Sequence, residues 1–222
     1  MDLVLSSGWL AFAAHSGFLA AVDDAGVEVN GVCGTSSGAL TGALWAAGLP
    51  ARDVLALVGR RSPLSWVTPH AAVWRGVFRL DGMIAELHRY LPPAFTGLSR
   101  PFGVGVVGLD GVHRVLTEGS LPEAVAASCA VPRLFMPVDV DGVRYVDGGA
   151  AERIGLSAWR AHRPATRPLV HRVAPSLGLE EPLSGVLRGV VHSPRSGARL
   201  WSLGDVDARF DRAYRATVRA VG

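Results

Sequence analysis

The sequence contains no lysine. All 22 of its basic side chains are arginine, so Schiff-base chemistry, a phosphate-loop lysine and a serine–lysine dyad are excluded. Charge is scarce as well: 18% of residues are charged against 49% hydrophobic, which excludes a disordered chain. Cysteine occurs twice, as Cys33 and Cys129, each inside an apolar run without metal-ligand spacing. Buried free thiols in a reducing compartment are the expectation. No apolar run reaches the ~18–20 residues that a bilayer span requires; the nearest, 38–49, is interrupted by Thr41 and stopped by Pro50. The opening Met1-Asp2-Leu3-Val4-Leu5 lacks the positive charge of a secretion signal, so a soluble, cytoplasmic protein is expected.

What is present fits a single domain over 1–222, long enough to bury one core without a metal or disulfide staple. The net charge is +3 with arginine dispersed along the chain, which predicts a mildly basic solvated surface. No zinc-finger, recognition-helix or RNA-motif signature appears, and no nucleic-acid partner is expected. No cofactor motif and no metal-ligand set is evident.

Apolar periodicity divides the chain into alternating strands and helices. Strands are expected at 2–5, 27–33, 102–107, 112–116, 144–146 and 170–173, the last being the final strand. Helices are expected at 12–25, 37–47, 121–130 and 205–221, with 51–100 largely helical. The helix at 37–47 is apolar nearly all round and must lie in the core. On the final helix Val206, Phe210, Ala213, Tyr214 and Val218 form the apolar stripe. Strands interleaved with buried helices predict an α/β fold with a mostly parallel central sheet and helices on both faces.

Gly34-Thr35-Ser36-Ser37-Gly38 follows a strand and opens the buried helix. That context is the strand–turn–helix of a nucleophile elbow, with Ser36 at the positive end of the helix dipole and Gly34 and Gly38 allowing tight packing. The alternative role for this serine is a helix N-cap. Asp147 ends a strand, and Gly148 and Gly149 behind it permit a tight turn. Trp66, Trp74 and Phe78 interleave with Arg60, Arg61, Arg75 and Arg79, a composition shared by core packing and by interfacial anchors. None of the seven histidines stands in a distinguishing context.

The elbow and Asp147-Gly148-Gly149 together resemble the patatin-like phospholipase family. The segment 127–137 between them, the helix segment 42–48, Gly17-Phe18-Leu19 and the final helix are similar to it too, with the likeness strongest over 1–156. The resemblance implies a patatin-like three-layer domain and a lipid acyl hydrolase acting on phospholipid or another acyl-ester lipid. It further implies a Ser36–Asp147 dyad without histidine, and an oxyanion hole from the backbone N–H groups of Gly8, Trp9 and Ser37. The family's glycine-rich loop falls on Ser7-Gly8-Trp9-Leu10-Ala11-Phe12, where one glycine remains, Trp9 replaces another and Ala11 holds the basic position. Peripheral contact with a membrane surface accompanies that reading. Two alternatives stand beside it. One is a Ser-His-Asp esterase using His162 or His171; the other is a non-catalytic lipid-binding protein that retains the elbow for packing.

Overall fold

The computed structural model describes residues 1–59, 63–69, 77–175, 183, 185, 187–199 and 201–222. Its sheet is built from β1 (Asp2–Leu5), β2 (Gly31–Thr35), β5 (Phe102–Gly108), β9 (Leu169–Val173) and β10 (Gly189–Ser193), all parallel, in the order β10-β9-β1-β2-β5. Three antiparallel strands complete it: β6 (His113–Leu116), β7 (Val138–Val140) and β8 (Val143–Asp147). A two-stranded ribbon, β3 (Thr68–Pro69) with β4 (Phe78–Arg79), stands apart.

The side-chain alternation of β1 and β2 shows how both faces are filled. Leu3, Leu5 and Val32 point into the larger core, packed under α1 (Phe12–Asp24), α2 (Ser37–Ala46) and α5 (Leu121–Ser128). Val4, Cys33 and Val170 point the other way, onto Trp159 of α6 (Leu156–His162) and onto Ile154. A strand buried on both faces is apolar at every position, and β1 is wholly buried along its length. The expected architecture, a mostly parallel sheet between helices, is what the chain adopts. All ten residues of α2 are buried, as its all-round apolar character requires.

Strand β5 has neighbours on both edges. One edge is occupied by β6 from Val104 to Val107. The other edge is shared: β2 pairs with Val32↔Phe102 to Thr35↔Gly105, and β8 pairs with Val106↔Asp147 to Gly108↔Tyr145. Since β2 runs parallel to β5 and β8 antiparallel, their C-terminal ends meet head-on between Gly105 and Val106. The residue after β2 is Ser36; the last residue of β8 is Asp147.

Some boundaries differ from the sequence-based expectation. Among the described residues the 51–100 region is not largely helical: α3 (Ala51–Gly59) and α4 (Asp81–Leu87) are its only described α-helices, with a 3-10 turn at Pro63–Trp66 and the ribbon between them. Prolines at 63, 69, 92, 93 and 101 remove the backbone donors a longer helix would need. β2 starts at Gly31, with Val27 and Val29 packing against the core from the approach to it. β9 is not the last strand; β10, a short edge strand among Gly, Pro and Arg residues, lies beyond it. On α7 (Val206–Val221) Val218 is exposed, while Thr217 is buried with its hydroxyl donating to the Ala213 carbonyl at 2.8 Å.

Helix α7 lies along α1, and the crossing is closest at Gly17, where an added Cβ would sit 2.2 Å from the Phe210 carbonyl oxygen. Gly17→Ala gains helix propensity but forces the two backbones apart. The expected net effect is a loss of about 1–3 kcal/mol, read as a lower urea midpoint with an unchanged m-value.

Candidate active site

Ser36 sits where β2 turns into α2, with φ 55° and ψ −121°. For a residue with a side chain this left-handed backbone costs on the order of 1–3 kcal/mol and persists only where its surroundings enforce it. Three contacts do so. The Ser36 N–H donates to Ser128 Oγ at 2.7 Å, Ser128 Oγ donates to the Gly105 carbonyl at 2.6 Å, and the Ser36 carbonyl accepts from Leu40 N at 3.0 Å. Gly38 lets the turn lie against β1: a Cβ there would be 2.5 Å from the Leu5 carbonyl oxygen. Gly34 approaches the Gly38 backbone as closely. Ser36 is therefore the N-cap by position, yet its side chain makes no capping bond. Its hydroxyl lies instead against the Asp147 carboxylate, whose pKa it pulls down.

Asp147 is 5% exposed and its Oδ1 accepts from Gly149 N at 2.7 Å. Gly148 is pressed against β5, where a Cβ would be 2.5 Å from the Gly105 carbonyl oxygen. Burial pushes the Asp147 carboxyl up to about 6, against the hydrogen bonds from Ser36 and Gly149 and the charge of Arg153, which pull it down. It is a stronger base than an ordinary carboxylate and is still mostly ionised at neutral pH. The structure thus brings together the two side chains on which the sequence motifs converged.

The loop after β1 stands beside them. Ser37 Oγ donates to the Gly8 carbonyl at 2.7 Å, tying that loop to the first turn of α2. Among the described residues the N–H groups of Gly8 and Trp9 have no hydrogen-bond partner. The Trp9 indole donates to the Ala198 carbonyl at 3.1 Å, and Ser196 Oγ donates to the Trp9 carbonyl. Gly8, Trp9, Ser36 and Ser37 line one end of a largely apolar cavity of about 90 Å³. Phe12, Leu40, Val58, Trp66, Leu80 and Met83 belong to its apolar wall.

No histidine lines that cavity among the described residues. His171 is fully buried in β9, its Nδ1 2.8 Å from His15 Nδ1 and its Nε2 3.0 Å from Ser193 Oγ. Burial pushes His15 down to about 3 and His171 well below its usual value, so both are neutral. His162 ends α6, beside Arg163, which pairs with Asp2 at 2.6 Å where β1 begins. That is the end of the sheet opposite Ser36. Among the described residues no cluster of three or more His, Cys, Asp or Glu side chains is placed to hold a metal ion. Cys33 and Cys129 are free thiols.

The aromatic–arginine stretch divides. Trp74, Arg60, Arg61 and Arg75 lie outside the described residues. Trp66 lines the cavity, Phe78 packs 6.3 Å from Phe135, and Arg79 pairs with Asp81 at 2.8 Å. Two residues had no motif to announce them. Ser128 lies inside the family-like 127–137 segment, but only the fold shows it holding the Ser36 backbone. Arg153 lies just beyond the Asp147 turn and donates to the Ser7 and Val173 carbonyls at 2.9 and 3.0 Å.

The family model for patatin-like phospholipase matches residues 3–158. This chain belongs to that family. Uncharacterized NTE family proteins of Mycobacterium tuberculosis and Mycobacterium bovis are 32% identical to it over 159 residues, 67% of the chain and 26% of each relative. A second Mycobacterium tuberculosis NTE family protein is 26% identical over 166 residues, 70% of the chain and 44% of the relative. This patatin-like chain therefore spans about a quarter to under half the length of the curated relatives it matches. Its fold is that of VipD from Legionella pneumophila, with a TM-score of 0.59 at 14% identity, covering 99% of this chain and 66% of that one.

The raised Asp147 carboxyl has a measurable cost. The unfolded chain ionises it near 3.8 and the folded chain near 6, so its contribution to stability is intact below pH 4 and lost as pH rises through 6. Asp147→Asn removes this dependence. The variant is expected to gain about 2–3 kcal/mol relative to the parent between pH 4 and pH 7, measured by denaturant titration at each pH.

Proposed function

We propose that this patatin-like domain is a serine-dependent lipid acyl hydrolase that works through a Ser36–Asp147 dyad. The observation that carries the reading is the Ser36 hydroxyl, held on a strained elbow beneath an apolar cavity and set against a buried carboxylate of raised basicity. Ser36 Oγ attacks the ester carbonyl while Asp147 takes its proton. The negative charge that develops on the carbonyl oxygen is met by the N–H groups of Gly8, Trp9 and Ser37, each such donor being worth about 2.7–4 kcal/mol. Collapse of the tetrahedral intermediate breaks the ester C–O bond, and Asp147 returns the proton to the departing alcohol. Water, deprotonated by Asp147, then releases the fatty acid and restores Ser36. The apolar cavity receives the acyl chain of a phospholipid or other acyl-ester lipid.

Both histidines of the Ser-His-Asp alternative lie away from Ser36, one locked in a buried pair and the other at the far end of the sheet. The binding-only alternative draws on the loop 7–12, where glycines give way to bulkier residues. Its N–H groups remain able to donate, since every residue there other than proline carries one.

Contact with a lipid surface belongs to the same reading, through the segment after β10. Trp201 is 70% exposed, the most exposed of the large apolar side chains described, and the Arg199 guanidinium lies 5.8 Å from its ring centroid. An exposed indole beside a cation suits an anionic interface. No described helix is long and apolar enough to cross a membrane.

A fluorophosphonate probe tests the chemistry: it is expected to label the parent and not Ser36→Ala, while Asp147→Asn lowers turnover of a p-nitrophenyl ester by about 10²–10⁴-fold. An unlabelled parent that still binds lipid would establish the binding-only reading instead. Trp201→Ala is expected to weaken partitioning to phosphatidylglycerol vesicles about fivefold or more with hydrolysis of p-nitrophenyl butyrate unchanged; equal partitioning would remove Trp201 from the interface.

A further inference from the structure

Resting on the dyad reading above, we propose that Arg153 is a positioning residue of the same site. It clamps the loop that carries the Gly8 and Trp9 donors to the turn that carries Asp147, so that donors and base keep one fixed spacing.

The clamp has two parts. The Arg153 carbonyl accepts from Ser7 N at 2.6 Å, and one terminal nitrogen of its guanidinium donates to the Ser7 carbonyl at 2.9 Å. Ser7, immediately before Gly8, is thus held at both of its backbone polar groups by one residue. The same guanidinium nitrogen donates to the Val173 carbonyl at 3.0 Å, so the clamp is anchored to the end of β9, a strand that pairs with β1. Arg153 itself follows the turn closed by the Asp147–Gly149 hydrogen bond. No basic side chain stands in the loop 6–12; the cation that braces it comes from outside.

Position gives Arg153 a second effect, on the base. Asp147 faces Ser36 from the elbow, the Gly149 N–H from its own turn, Cys129 from the end of α5, and Arg153. The Cys129 thiol is pushed up by burial and by the Asp147 charge, so it is neutral at working pH. Glu152 is 3.4 Å from His113, which packs near Thr35 on the opposite face of the sheet. Among the described residues Arg153 is the charged group that bears on the Asp147 carboxylate, and it favours the ionised form. Its removal raises the carboxyl further and moves the acid limb of the rate profile to higher pH.

Arg153→Met keeps much of the apolar stem and deletes both the donors and the charge. On p-nitrophenyl butyrate it is expected to lower kcat about 10–100-fold with little change in KM, and to shift the acid limb upward. Arg153→Lys keeps the charge with a shorter reach; it is expected to hold the acid limb in place and to lose only a few-fold in kcat. If the Met variant does not fold, the Lys variant carries the test, and an acid limb that moves in it overturns the proposal. A Met variant whose kcat and acid limb match the parent overturns it too, as does one whose loss is confined to KM. Fluorophosphonate labelling of the parent separates the two levels: a labelled parent indifferent to Arg153 sinks the clamp alone, whereas an unlabelled parent sinks the dyad and the clamp with it.

Discussion

Two strands that run toward each other along one edge of a third must both stop where they meet. That collision, between β2 and β8 beside Gly105 and Val106, is the constraint on which the rest of the site depends. Neither strand can continue the ladder, so each chain has to leave the sheet at the same point. One leaves through the left-handed Ser36 and the other through the tight Asp147–Gly149 turn. Ser128 and Gly148 crowd the Gly105 carbonyl from two sides, which leaves the junction no slack. The hydroxyl and the carboxylate meet as a consequence of sheet topology, with no need for a flexible loop to deliver either one.

The electrostatics arise from the same junction. A carboxylate buried at this junction loses its water, and the loss is offset only partly by the Ser36 hydroxyl, the Gly149 N–H and a nearby guanidinium. The proposed dyad, which has no imidazole, asks for a carboxylate that is a better base than it is in water. Burial supplies that property here, at a cost in folding free energy above pH 6. The neutral His15–His171 pair shows the same force acting on bases. There burial removes charge altogether and leaves two imidazoles as core packing, with His171 stacked on Phe18.

Much of this architecture was legible in the sequence. Short apolar runs of β-branched residues marked the central strands, and all-round apolar character marked α2 as a core helix. The elbow and the Asp-Gly-Gly turn were readable because each needs small residues at fixed offsets, and backbone proximity leaves no substitute. What escaped has physical reasons too. β10 is an edge strand, so its pattern is diluted by polar and turn residues. The 51–100 region has helical composition but too many prolines to use it. Ser128 and Arg153 act on backbone atoms far away in sequence, and a contact to a carbonyl imposes no pattern on the residues around it. The aromatic–arginine stretch stayed open between core packing and an interfacial anchor, because composition cannot tell a cavity wall from a surface.

Trp9 is set in place from far along the chain. Ser196 and Ala198 grip its backbone and indole, and Arg209 of α7 in turn donates to the Ser196 and Leu203 carbonyls. A chain is made from its N-terminus, so the elbow and Asp147 emerge well before these residues. The loop beside Ser36 therefore waits for α7, which is translated after Ser36 and Asp147. A nascent chain in which α7 is still unmade holds Ser36 and Asp147 without the brace that sets Trp9, and the order of synthesis itself delays assembly of the candidate site.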